Sequence, residues 1–145
     1  MVESRRDSKP LGAAAEMYVA HELMVLGFGV SLPLGDNEPY DLISCHKDKM
    51  CRLQVKATRC PQHGTYRVGF CHGNKARRLY TKDDCDFIIA VVYYPSGPSI
   101  HVIPAVDITT AKGIFWEVGK HPRYPDKWIR CKWQVYRNAW EPLYQ

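Results

Sequence analysis

Apolar residues recur at helical spacing near the start of the chain. Ala13, Met17, Ala20 and Met24 form a stripe that Val19, Leu23 and Leu26 widen. The spacing predicts a helix over about Leu11 to Leu26, with Ser8 as its cap, Pro10 in the first turn and Gly27 at the left-handed stop. Glu16 and His21 interrupt this otherwise apolar stretch. A loop rich in Pro, Gly, Asp and Asn follows from Pro33 to Pro39. Beyond it two extended runs, Tyr40 to Cys45 and Cys51 to Thr58, flank the polar turn His46-Lys47-Asp48-Lys49, which is a hairpin signal. In the second run Leu53 and Val55 alternate with Arg52, Gln54 and Lys56, the period of a half-buried strand.

Further along, Tyr66 to Phe70 reads as a short strand and Asn74 to Tyr80 as a short basic helix. The β-branched run from Asp86 to Tyr93 reads as the central strand. Ser99 to Ile103 is its neighbour across a turn at Pro95-Ser96-Gly97-Pro98, and Val135 to Trp140 is partly helical. Helix, strand meander, helix: the order describes one mixed α/β domain over residues 1–145.

Composition narrows the class of protein. The chain is 46% apolar and 24% charged, ordinary for a globular domain. No run approaches the roughly 20 apolar residues of a membrane helix. Met1 to Pro10 is charged and polar, unlike a secretory signal, so the expectation is a cytoplasmic or nucleoid-associated protein with no membrane partner. The formal net charge is +5, and it is concentrated: Lys120, Arg123, Lys127, Arg130, Lys132 and Arg137 face only Asp126 and Glu141 in the C-terminal segment from about 120 to 145. Interleaved Tyr124, Trp128, Trp133, Tyr136, Trp140 and Tyr144 suit a polyanion with bases to stack on; equally, such Trp residues can belong to a core.

The six cysteines support neither a disulfide framework nor a strong zinc motif. Cys60-x-x-His63 and Cys71-His72 offer four ligands, but adjacent residues point to opposite faces of a strand. Cys45 and Cys51 flank the hairpin turn and read as thiols.

One constellation carries chemistry. If the turn closes with His46 opposite Cys51, Asp41 lies opposite Lys56 and shares a face with it and with Gln54. A carboxylate, an amide oxygen and an ammonium then converge at the sheet edge. Phosphodiester hydrolysis needs a hard cation and an activated water, and oxygen ligands at this spacing suit Mg²⁺. Lys56 is placed to orient or deprotonate the water, and Glu16 is the candidate second carboxylate. Asp36 competes with Asp41 but has no apolar strand after it, and His21 reads as a packed histidine one turn beyond Glu16.

In this order, Glu16, then Pro39-Tyr40-Asp41-Leu42-Ile43, then Leu53-Gln54-Val55-Lys56, the residues resemble the PD-(D/E)XK nuclease superfamily, with the spacing of its archaeal Holliday-junction-resolvase branch. The Gln-x-Lys variant, with Tyr80, Asp86-Phe87 and Tyr136-Arg137-Asn138-Ala139-Trp140, resembles the group I intron-associated homing endonucleases. The resemblance implies a restriction-endonuclease-like α/β core, a central mixed sheet flanked by helices. It implies a metal-dependent endodeoxyribonuclease using Mg²⁺, with Mn²⁺ as a substitute, on double-stranded or branched DNA. Asp41 would ligate the metal, Lys56 would act on the water, and Glu16 would ligate directly or through water. Gln54 stands where most members have Glu or Asp, so its amide oxygen replaces a charged ligand.

Thr58 and Arg59 follow Lys56 within reach of the scissile or an adjacent phosphate. Lys75, Arg77 and Arg78 form a basic patch, and Arg130 and Lys132 supply cations in the C-terminal segment. Cutting both strands needs two sites, which predicts a homodimer or larger homo-oligomer. The alternative from another class is a nucleic-acid-binding module that kept the nuclease fold and lost cleavage, which Gln54 motivates. A zinc module on Cys60, His63, Cys71 and His72 is a third reading.

Overall fold

The first helix packs through a narrower stripe than its hydropathy suggests. In the computed structural model, which describes residues 8–35, 37–73 and 78–145, helix α1 (Ser8–Val25) buries Ala15, Val19 and Leu23 at i, i+4 and i+8. Met17 and Met24, expected on the buried stripe, are 75% and 58% exposed. The helix begins at Ser8 rather than after it, so its cap lies outside the described residues. Gly27 does take a left-handed φ of 94° just past the helix end.

Five strands form the main sheet: β1 (Gly29–Ser31), β2 (Leu42–His46), β3 (Lys49–Thr58), β7 (Phe87–Tyr94) and β8 (Gly97–Pro104), in that spatial order. The intervening β4 (Tyr66–Gly69), β5 (Cys71–His72) and β6 (Arg78–Leu79) lie outside it. β4 pairs with β9 (Lys112–Phe115), and β5 pairs with β6. The β3–β7 pair is parallel and its neighbours in the sheet are antiparallel, so the sheet is mixed. β3 rather than β7 is central. β7 is nevertheless buried on both faces, which explains its unbroken apolar run.

The two faces are covered differently. α1, with Trp140 and Leu143, packs on the face that carries Leu53, Val55, Ile89 and Val91. The other face carries Ile88, Ala90 and Val92 and is covered by the β4–β9 ribbon with Phe70, Tyr80, Cys85 and Trp133. One α helix, not helices on both sides, flanks the sheet among the described residues. The remaining helical pieces are 3₁₀ turns at Ala105–Asp107, Lys132–Tyr136 and Glu141–Leu143. The stretch from Val135 to Trp140, expected to be partly helical, holds the end of the second of these turns, Val135 and Tyr136; residues 137–140 separate it from the third, and Asn138 has a positive φ of 50°. The basic helix expected over Asn74 to Tyr80 is corrected at its end, where Arg78-Leu79 is a strand on Cys71-His72; residues 74–77 lie outside the described residues. No described helix is long and apolar enough to cross a membrane.

The hairpin register differs from the expected one. β2 and β3 close through a two-residue turn, Lys47-Asp48, with Lys47 at φ 52°. His46 therefore pairs with Lys49, Ser44 with Cys51 and Leu42 with Leu53. The tighter turn shifts the pairing by two residues, and Asp41 comes to lie beside Gln54 instead of opposite Lys56. Because side chains alternate with period two, this shift leaves the paired residues of β2 and β3 on their expected faces.

Candidate active site

β2 begins at Leu42, opposite Leu53, which leaves that edge of β3 free of strand pairing from Gln54 onward. Asp41 fills the gap in an unusual way. Its N–H donates to the Leu53 carbonyl at 2.8 Å, and its Oδ2 accepts the Val55 N–H at 2.9 Å. A side-chain carboxylate thus replaces the backbone carbonyl that a continuing β2 would have offered. Asp41 brackets Gln54 from both sides and sits at the sheet edge with its charge held in place.

Glu16 and Lys56 approach that edge from opposite faces. Glu16 follows Ala15, part of the α1 packing stripe, and lines a cleft of about 300 Å³ together with Leu32, Pro33, Gly35, Glu38, Tyr40 and Asp41. On β3, Leu53 and Val55 point into the core beneath α1, so Gln54 and Lys56 project from the other face. There the Lys56 ammonium lies 5.2 Å from the centroid of the Tyr80 ring.

Electrostatics tune both charged groups toward neutrality. Burial pushes the Asp41 carboxyl above its ordinary value, against the pull of the Val55 N–H and the Lys56 ammonium. Burial lowers Lys56, and Asp41 partly opposes it. The nearby Cys85 thiol is pushed up to about 12 by burial and stays protonated, so it gives Lys56 no counter-charge near neutrality. A lysine whose pKa is lowered, beside a carboxylate, is a candidate for proton transfer.

Among the described residues, no three His, Cys, Asp or Glu side chains converge as a metal-ligand set, whether at Cys60, His63, Cys71 and His72 or at this edge. The donors available here are the carboxylates of Asp41 and Glu16 and the amide oxygen of Gln54. Their chemistry fits a hard divalent cation that keeps most of its water and uses one or two carboxylates.

The other expected residues are dispersed. Thr58 ends β3 beside Val92, and Arg59 is exposed just beyond it. Arg78 makes a bidentate ion pair with Asp84, 2.7 Å in each arm, which holds the Asp84 carboxyl down at about 2. Asp36, Lys75 and Arg77 lie outside the described residues. Asp86 is bound to Arg52: its Oδ2 accepts the Arg52 N–H at 2.7 Å, and the guanidinium completes the pair. His21 is exposed beside Glu22.

In the C-terminal segment Trp133 and Trp140 are core residues, whereas Trp128 is 84% exposed. Lys132 is exposed with its ammonium 4.8 Å from the Trp133 ring, and Arg130 is exposed close by. Glu38 was not singled out from sequence because it sits in a Pro- and Gly-rich loop that reads as turn filler. Tyr80 was noted only as part of a motif, and Cys85 not at all; tertiary packing alone brings them to Lys56.

Comparison with known proteins agrees with this architecture. A family model described as PD-(D/E)XK endonuclease matches residues 6–123. The chain is 33% identical to Protein 5.3 of Escherichia phage T7 over 86 residues, 56% of this chain and 70% of that protein. Its fold is similar to the solved structure of a bacterial homing endonuclease, with a TM-score of 0.77 and 26% identity, covering 95% of this chain and 93% of the other.

Proposed function

Because this chain belongs to the PD-(D/E)XK endonuclease family, we propose that it is a divalent-metal-dependent endodeoxyribonuclease that cuts double-stranded or branched DNA. The observation that carries this reading is the meeting of Asp41 and Lys56 at one sheet edge, with Glu16 on the wall of the adjoining cleft. Asp41, Glu16 and Gln54 would hold the metal. When bound, Mg²⁺ supplies charge neutralisation at phosphate oxygens and acidifies a water, and Mn²⁺ offers the same chemistry.

The side chains divide the remaining work. Asp41, fixed by the Val55 N–H, keeps its carboxylate in one orientation. The lowered pKa of Lys56 lets its Nζ accept a proton from an attacking water or donate a hydrogen bond to a phosphate oxygen. Thr58, Arg59, Arg130 and Lys132 are candidate phosphate contacts, and two copies of the chain would be needed to cut both strands at once.

The test is cleavage of supercoiled plasmid and of a branched DNA, with Mg²⁺ or with EDTA, beside Lys56→Ala. Magnesium-dependent cutting that disappears in the variant is the expected result. A wild-type protein that binds DNA and never cuts it would overturn the reading. The uncharged Gln54 in the donor set would then favour a binding module on a nuclease fold.

A further inference from the structure

Two depressions flank the Asp41–Lys56 edge, one lined by Asp41 and the other by Lys56, and their linings are opposite in charge. The cleft beside Asp41 is lined by Glu16, Glu38 and Asp41 and, among the described residues, by no basic one. The groove beside Lys56, about 470 Å³, is lined by Lys56, Lys112, Ala57, Gly69, Cys71, Gly73 and Ala111, with no carboxylate among the described residues. The acidic side suits a cation; the basic side suits an anion.

The outer wall of that groove is the β4–β9 ribbon. Gly69 pairs directly with Lys112, so both face the same side of the ribbon, and Arg67, two residues back, shares that exposed face. A Cβ added at Gly69 would meet nothing within 4 Å, so the space opposite Lys112 is open. Lys112 is exposed at the start of β9. A strand whose scissile phosphate sits at Lys56 can continue into this groove and meet a second ammonium there.

Building on the nuclease reading above, we infer that this groove seats the DNA backbone next to the scissile phosphate, with Lys112 as a phosphate contact. Lys112 is a positioning residue: it grips the substrate and leaves the reacting atoms to Lys56 and Asp41. Its contribution belongs in affinity and in salt dependence, because each phosphate contact releases counterions.

The experiment is fluorescence anisotropy of a short random-sequence duplex in EDTA, which prevents cutting, across a salt titration. Lys112→Ala is expected to weaken binding about three- to tenfold and to flatten the slope of log K against log salt by about 0.9. Lys112→Arg should restore both. Gly69→Asp, which puts a carboxylate into the open space without removing a lysine, should weaken binding at least as much. Lys47→Asn removes the same charge from the hairpin turn, about 23 Å along β3 from Lys56, and should leave the slope unchanged. In cleavage assays the Lys112→Ala effect should fall on the DNA concentration for half-saturation. Unchanged affinity and slope in both Lys112→Ala and Gly69→Asp, with Lys56-dependent cutting intact, would overturn the groove and leave the nuclease. Wild-type protein that neither binds nor cuts DNA would overturn both.

Discussion

The Lys56 ammonium lies 5.2 Å from the centre of the Tyr80 ring, and Tyr80 is itself buried, its phenol pushed up to about 12 by burial. The ring face stabilises the charged form of Lys56 at the point where burial works against it. Tyr80→Phe keeps the ring and should retain cleavage. Tyr80→Leu removes an interaction of about 0.5–2 kcal/mol. The ammonium is then easier to deprotonate, so the Lys56-dependent arm of the pH–rate profile should move to lower pH. A profile identical in the Phe and Leu variants would show that the ring contact does not tune Lys56.

Gln54→Glu places a further carboxylate beside Asp41. Added ligand charge tightens divalent-cation binding, so the Mg²⁺ concentration for half-maximal cleavage should fall by about three- to tenfold. The same charge repels Asp41 when no metal is present. Thermal melts in EDTA should therefore show a lower Tm for the variant, with the difference shrinking or reversing in Mg²⁺. Equal melting shifts with and without Mg²⁺ would argue against a metal at this edge.

His101 links stability to pH. It is fully buried on β8 against the Phe115 ring, its Nε2 has no hydrogen-bond partner, and its Nδ1 is 3.4 Å from the Ala90 carbonyl. Burial lowers its pKa from 6.5 to about 4; the Ala90 carbonyl opposes that shift and Arg137 adds to it. Above pH 6.5 the imidazole is largely neutral in both the folded and unfolded chain, so its full contribution is present. As pH falls through the window down to about 4, the unfolded chain takes up a proton that the fold refuses. Stability then drops, by on the order of 3 kcal/mol across the window. His101→Leu should flatten this acid limb, read as urea midpoints at pH 7 and pH 5; an unchanged limb would assign it to other groups.

Asp86→Ala should destabilise without entering the chemistry. The substitution strips the Arg52 N–H of its acceptor at 2.7 Å and leaves the guanidinium the Lys82 and Asp83 carbonyls and the Tyr40 ring. The cost is about 1–3 kcal/mol in urea unfolding. Cleavage measured well below the melting temperature should persist, and its loss there would place Asp86 in the site instead.

The hairpin explains how much of this was legible in the sequence. Alternation put Gln54 and Lys56 on one face of β3 and Leu53 and Val55 on the other, and the structure agrees. The register was two residues off because the left-handed φ at Lys47 lets two residues do the work expected of four. Period-two geometry forgives such an error for the paired residues, and Asp41 reaches the edge through its own bonds to Leu53 and Val55. The bond from Val55 N–H to its carboxylate was invisible, since it depends on where β2 stops. The charge of Arg78 read as a free cation because its partner Asp84 lies six positions on, across a turn that no periodicity announces. The exposed methionines of α1 show the same limit: hydropathy names candidates for a buried stripe, and the sheet selects among them.

The two walls of the site differ in how they are assembled. The described lining of the acidic cleft comes from α1 and the loop between β1 and β2, which Asp41 ties to β3, all in the chain before Thr58. The basic groove needs β4 beside β9, and that pairing closes a loop containing the whole β7–β8 hairpin. Loop closure of this kind is costly in chain entropy and comes late in folding. A ribbon of two short strands at the margin of a domain is also the kind of unit that opens locally below the global unfolding energy. Amides of β9 should therefore exchange with solvent before those of β3. The proposed grip on DNA would then depend on the last contacts the chain makes, and the acidic cleft on some of the first.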